Sequence, residues 1–73
     1  MKASALFRVL TRQPLAYSVV RQNGSHRTLE SLDYPRLTFA FHDGATVPPG
    51  LVRKILTKDV GLSDDDALGL LGR

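Results

Sequence analysis

Residues 16–30, AYSVVRQNGSHRTLE, carry the strongest local signal for a β-hairpin in this sequence. Two runs rich in β-branched and aromatic residues flank Asn23-Gly24, a dipeptide that favours the type I′ hairpin turn because both central positions need positive φ. A turn centred there would pair three sets of residues across the hairpin: Gln22 with Ser25, Arg21 with His26, and Val20 with Arg27. Opposed residues share a sheet face, so the sequence predicts a hairpin that presents Arg21 and His26 together.

A third strand is predicted after a loop at residues 31–36. Residues 37–42 read LTFAFH, and their large apolar side chains alternate with others as in a half-buried strand. The alternation predicts a buried side and an open side, which are Leu37, Phe39 and Phe41 inside and Thr38, Ala40 and His42 outside.

The third strand indicates which side of the hairpin faces the core. We expect Val20 and Leu29 to join the phenylalanines beneath the helices, and Arg21 and His26 to face outward. In a simple meander the third strand returns antiparallel to the second and ends near its start. His42 would then lie close to His26, beside Arg21, at one end of the open face.

A short helix is predicted before the strands, over residues 5–12. Ser4 is a suitable N-cap for it, and Pro14 disfavours a helical conformation just beyond it. Its apolar residues recur at helical spacing, as expected of a helix that packs on a core: Leu6, Val9 and Leu10.

A second helix is predicted over residues 51–58, because Pro48-Pro49-Gly50 suits a first helical turn. Its apolar and basic residues fall on opposite faces, with Val52, Ile55 and Leu56 on one and Arg53, Lys54 and Lys58 on the other. The basic face is that of a solvated helix, and it also suits contact with phosphates.

The chain ends in signals for one more short helix. Gly61 is a natural C-cap, and Ser63 with Asp66 forms a start like a capping box. With 73 residues there is room for one domain, which we expect to span residues 1–73 with 63–73 as a short C-terminal helical tail. The predicted fold class is α+β, in the order α-β-β-β-α.

Composition excludes several kinds of chemistry. The chain has no cysteine, which excludes a disulfide, a thiolate nucleophile and a cysteine-based zinc site. Residues 1–62 carry nine basic and four acidic residues, a balance that suits a polyphosphate partner. The apolar run at residues 5–7 is too short for a signal peptide or a membrane span, so we expect a cytoplasmic protein without a membrane partner.

Histidine is the side chain whose ordinary pKa suits proton transfer near neutral pH. RNA carries its own nucleophile, the 2′-hydroxyl, so its cleavage needs a proton acceptor, a proton donor and cations around the phosphate. His26 can act in this way with Arg21 and Arg27, and with Ser25 or His42. No cofactor or metal is required, and the alternative is a solvated histidine in an exposed turn. Signatures of a protease, a kinase or an NTPase are missing from the sequence.

The residues resemble those of the HicA, or YcfA-like, toxins. The likeness rests on residues 19–27, VVRQNGSHR, and on residues 47–56, VPPGLVRKIL. It extends over most of the chain, from Ser4 to Leu71. The sequence departs from the family where Ala16-Tyr17 follows Pro-Leu, since many members have a glycine there, and at Asn23, where lysine is frequent.

This resemblance implies a double-stranded-RNA-binding-domain-like fold, with two helices on one face of a three-stranded antiparallel sheet. It implies an mRNA interferase, an endoribonuclease that cleaves mRNA and arrests growth, neutralised by a HicB-type antitoxin. The family's catalytic histidine corresponds to His26, and Gly24 and Ser25 correspond to the residues that shape the turn. We assign RNA contact to Arg21, Gly24, Ser25 and Arg27.

Two other functions are compatible with the residues. The first is a non-catalytic RNA- or DNA-binding module on the same fold, for which replacement of His26 would leave RNA binding intact. The second is a structural subunit with no nucleic-acid role, which would show no salt-sensitive affinity for RNA.

Overall fold

The computed structural model describes residues 1–72 and contains a three-stranded antiparallel sheet whose strands are arranged in the order of the chain. This confirms the predicted α+β class and meander, and the arrangement is consistent with a double-stranded-RNA-binding-domain-like fold. A π-helical turn, Ile55–Asp59, continues the second helix. The other elements are α1 (Ala3–Thr11), β1 (Ser18–Asn23), β2 (His26–Glu30), β3 (Leu37–Phe39), α2 (Pro49–Lys54) and α3 (Asp64–Leu71).

The hairpin turn lies one residue later than predicted. Asn23 remains in β1 and pairs with His26, so Gly24 and Ser25 are the central residues of the turn. Gly24 has φ +62°, and positive φ at the first central position alone is the pattern of a type II′ turn. The predicted type I′ turn and its pairing of Arg21 with His26 are therefore wrong.

Moving the turn by one residue shifts the strand register by two. Arg21 now pairs with Thr28, and Gln22 pairs with Arg27. Because the side-chain period of a strand is two, this shift leaves every side chain near the turn on its predicted face. Arg21 and His26 therefore still share the open face, as diagonal neighbours, and both are exposed.

A β-bulge at Val20 overturns the prediction for the core side of β1. The register changes between Val19 and Arg21, and Val19 pairs with Leu29. A bulge inserts one unpaired residue and reverses the facing of those beyond it. Leu29 is fully buried as predicted, whereas Val20 is 53% exposed and does not join the core.

The third strand is shorter than predicted and ends at Phe39. Leu37 and Phe39 are buried, and Phe41 is half-buried with its ring centroid 5.3 Å from that of Phe39. His42 lies beyond the strand, where its carbonyl accepts a hydrogen bond from the Ala45 N–H at 2.9 Å. His42 therefore lies outside the sheet, contrary to the expectation of a six-residue strand that ends at His42.

Helix α1 begins earlier than predicted, and Ser4 lies inside it. Its first amides are satisfied by a neighbouring loop, since the Ala3 N–H donates to the Ala45 carbonyl at 2.8 Å and the Ser4 N–H donates to the Asp43 carbonyl at 3.2 Å. These carbonyls fill the role of an N-cap side chain, which the residue at the cap, Lys2, does not supply.

The second half of the chain follows the predicted signals closely. Pro49 opens α2, two residues before the predicted start, and the backbone changes to a π-helical turn at Ile55. Gly61 has φ +91°, and the Ser63 hydroxyl accepts a hydrogen bond from the Asp66 N–H at 3.1 Å at the start of α3. Helix α3 falls within the predicted C-terminal tail, of which Arg73 lies outside the described residues.

One apolar cluster joins the helices to the inner face of the sheet. Helix α3 contributes to it, and its carboxyl end is tied to the residue that follows α1, because Arg12 Nη2 donates to the Leu70 carbonyl at 3.0 Å. The largest fully buried side chains are Phe39, Leu6, Leu10, Leu15, Leu29, Leu56, Val47 and Val60. The helices thus cover one face of the sheet and leave the other face open.

Candidate nucleic-acid interface

The open face of the sheet carries the first candidate residue, His26. It shares this face with Thr28 and Glu30 of β2, because alternate residues of a strand point the same way. Arg21 reaches the same face from β1, opposite Thr28. An exposed imidazole and an exposed guanidinium are therefore diagonal neighbours on the open face of the sheet.

His26 stands at the free end of the sheet. Pairing between β2 and β3 stops at Arg27 and Phe39, so His26 has a strand partner on the β1 side only, at Asn23. It follows the tight turn directly. This position gives the imidazole access to a large ligand such as a nucleic-acid strand.

The turn before His26 offers backbone groups without a bulky side chain. A Cβ added at Gly24 would meet no heavy atom within 4 Å, so the space beside it is open. The Gln22 side-chain amide donates to the Gly24 carbonyl at 3.1 Å and supports the turn. Ser25 is half-buried and directly precedes His26. Gly24 and Ser25 thus lie beside His26, as predicted from the sequence.

Arg27 lies on the opposite face of the sheet from His26. It pairs with Gln22 and with Phe39, on the inner side of the sheet. Its guanidinium carbon lies 4.7 Å from the centroid of the Phe7 ring, and its Nη2 donates to Asp43 Oδ1 at 3.0 Å. With its side chain 15% exposed, Arg27 is not brought together with Arg21 and His26.

Ion pairs set the charge available on each surface. At the far end of the open face, Glu30 pairs with Arg36, and the cation that shares this face of the strands with His26 is Arg21. On the basic face of α2, Arg53 makes a two-point ion pair with Asp64 at 3.2 and 2.9 Å. This pairing offsets part of the charge on the helix and makes it a weaker phosphate site than its sequence suggested.

Sequence reasoning missed the contacts of Arg27. Asp43 lies sixteen residues further along the chain, and Phe7 lies in the first helix. No spacing rule links such distant residues. The one available signal was the alternation of β2, which already placed Arg27 on the same side as Leu29.

The arrangement of possible metal ligands and the length of the helices bear on metal binding and on membrane insertion. Within residues 1–72, no group of three or more His, Cys, Asp or Glu side chains is arranged to hold a metal ion. None of the helices in this part of the chain has the length and apolar character needed to cross a membrane.

The fold and the open face define the class of this protein, a small α+β domain with helices on one side of a three-stranded antiparallel sheet. Residues 8–62 match a known family, described as HicA toxin of bacterial toxin-antitoxin. The match covers well over half of the chain, so the protein belongs to the HicA toxin family. It extends from α1 to just before α3 and contains the hairpin with His26. No curated protein and no solved structure matches the chain.

Proposed function

We propose that this toxin is an mRNA interferase, an endoribonuclease that cleaves mRNA without a metal ion and uses His26 for acid–base catalysis. The observation that carries the proposal is the position of His26, exposed beside Arg21 on the uncovered face of the sheet. Membership of a toxin family supports it, because degradation of mRNA stops growth.

The chemistry requires few groups. His26 accepts the proton of the RNA 2′-hydroxyl, whose oxygen forms a bond to the adjacent phosphorus while the bond from phosphorus to the 5′ oxygen breaks. The imidazolium formed in this step is the local donor for the departing 5′ oxygen. Arg21 offsets the negative charge that develops on the phosphoryl oxygens. The products are a 2′,3′-cyclic phosphate and a 5′-hydroxyl.

The turn supplies further contacts to the RNA. Gly24 lets the sugar–phosphate backbone approach the main chain, and the Ser25 hydroxyl can donate to a phosphate oxygen. Arg21 adds a charge contact, which makes affinity depend on salt. The substrate is mRNA in the cytoplasm.

A HicB-type antitoxin is the proposed protein partner. An acidic protein that covers the open face would shield His26 and compete with RNA for Arg21. Binding to the folded toxin would also stabilise it by mass action. If the toxin isolated from its native host carries no second protein, this part of the proposal is contradicted.

Expression in cells separates the proposed enzyme from a non-catalytic RNA- or DNA-binding module. We expect the wild-type chain to stop growth and accelerate RNA decay, and His26→Ala to abolish both effects. His42→Ala is the matched control, because His42 is the chain's second histidine and lies outside the sheet. Wild-type protein that binds RNA and never cleaves it would favour the binding module.

A further inference from the structure

Arg27 directly follows the candidate catalytic residue in the chain, yet its guanidinium is already engaged. It lies over the Phe7 ring of α1, with 4.7 Å between the guanidinium carbon and the ring centroid. Its Nη2 donates to Asp43 Oδ1 at 3.0 Å, and the side chain is 15% exposed. A phosphate on the open face would have to displace both partners to reach it.

Both partners of Arg27 connect to α1. Phe7 belongs to the helix and packs against Phe39, with ring centroids 5.7 Å apart. Asp43 is held by its backbone, since its carbonyl accepts the Ser4 N–H at 3.2 Å in the first turn of the same helix. Arg27 thus ties the start of β2 to α1 along two routes.

Arg27 lies at the end of β2 that has the fewest strand partners. Beyond the pair formed by Arg27 and Phe39, β2 has no neighbour on the β3 side. His26 directly precedes Arg27, and its one strand partner is Asn23, on the other side of the hairpin turn. Fixing Arg27 on the inner face therefore fixes the direction in which His26 projects from the outer face, because neighbouring residues of a strand point in opposite directions.

We propose that Arg27 is a positioning residue, which orients His26 through its contacts with Phe7 and Asp43 and does not contact RNA itself. The inference rests on the proposed function, and it reassigns a residue that the sequence suggested as an RNA contact. A small misplacement of a catalytic group lowers the rate of the chemical step strongly, by up to about 100-fold for about 1 Å.

The first test is the salt dependence of RNA affinity. It uses a single-stranded oligonucleotide with 2′-O-methyl groups, which the protein cannot cleave through the 2′-oxygen. Each lost phosphate contact reduces the slope of log Kd against log salt by about 0.7 for a single strand. We expect Arg27→Gln to leave the slope unchanged and Arg21→Gln, the matched control, to reduce it by about 0.7. An equal reduction in Arg27→Gln would overturn the proposal.

The second test is the kinetics of cleavage of the unmodified oligonucleotide. We expect Arg27→Gln and Asp43→Asn each to lower kcat by about 10- to 100-fold with KM unchanged. Arg27→Lys should recover part of the loss, because lysine retains a cation for Asp43 and for the Phe7 ring. A rise in KM at constant kcat would contradict the proposal. Because Asp43 is largely exposed, we expect Asp43→Asn to fold. It therefore tests the same contact if Arg27→Gln does not fold.

The third measurement separates failure of this inference from failure of the proposed function. Amide NMR spectra need no RNA, and we expect Arg27→Gln and Asp43→Asn to speed hydrogen exchange at His26 and Asn23, while Arg21→Gln does not. If the wild-type protein neither binds nor cleaves RNA, the proposed function fails whatever the spectra show. If it cleaves RNA and the exchange at His26 is unchanged in both variants, the positioning role of Arg27 fails alone.

Discussion

Ala16 holds a backbone conformation that favours glycine, and we expect Ala16→Gly to stabilise the protein. Its φ is +52°, the one positive value at a non-glycine position within residues 1–72. The left-handed region costs a residue with a Cβ about 1–2 kcal/mol, because Cβ approaches the following carbonyl oxygen. Glycine avoids this cost and loses about 0.5–1 kcal/mol more backbone entropy on folding. The midpoints of the two ranges predict a gain of about 0.75 kcal/mol in the free energy of unfolding.

Urea unfolding followed by circular dichroism measures this gain, and thermal unfolding should show a Tm higher by about 2–8 °C for a domain of this size. Gly24→Ala is the matched control. Gly24 has φ +62° and open space for a Cβ, so alanine adds backbone strain without a clash. We expect a loss at least as large as the gain at Ala16, because the first central position of a type II′ turn lies outside the left-handed region that alanine can adopt. If Ala16→Gly lowers the free energy of unfolding, the left-handed conformation at Ala16 is refuted.

Two further predictions concern a helix cap and a buried phenol. Ser63→Ala should cost about 1 kcal/mol, because its hydroxyl accepts the Asp66 N–H at 3.1 Å, whereas Ser4→Ala should cost less than about 0.5 kcal/mol, since Ser4 lies inside α1. Urea unfolding compares the two, and a larger cost for Ser4→Ala would contradict the observed helix starts. Burial, with smaller contributions from neighbouring acidic groups, raises the pKa of Tyr17 above its ordinary 10.0, and its hydroxyl donates to the Pro35 carbonyl at 2.7 Å. When folding raises the pKa of a group, the group stabilises the fold fully at pH values below its pKa in the unfolded chain. This contribution is lost as the pH rises through the pKa of the group in the folded protein. Unfolding between about pH 8 and pH 11 should therefore show a steeper alkaline loss in the wild type than in Tyr17→Phe, and equal slopes would contradict it.

Local signals in the sequence predicted most of the fold. Leu29 and Phe39 are buried as expected, because strand alternation acts over neighbouring residues. Ser63 caps α3 and Gly61 has positive φ, since both roles depend on the side chain at a single position. His26 and Arg21 share the open face, as predicted, although the register between β1 and β2 differs by two residues from the predicted one.

What could not be predicted depends on contacts between distant parts of the chain. The loop carbonyls of Asp43 and Ala45 cap α1, so a side-chain cap at Ser4 is not needed. The bulge at Val20 exposes a residue that the hairpin pattern placed in the core. The contacts of Arg27 join three elements that lie far apart in the sequence, and alternation alone could indicate its face but not its partners.

The proposed function depends on acid–base catalysis by His26, and cleavage of a single-stranded RNA by the purified protein in EDTA tests this claim. We predict that the wild type and His42→Ala cleave the RNA and leave 5′-hydroxyl ends, while His26→Ala is slower by about 10²–10⁴-fold and still binds RNA. Cleavage by His26→Ala at the wild-type rate, or a wild-type protein that binds the RNA and leaves it intact, would contradict the claim.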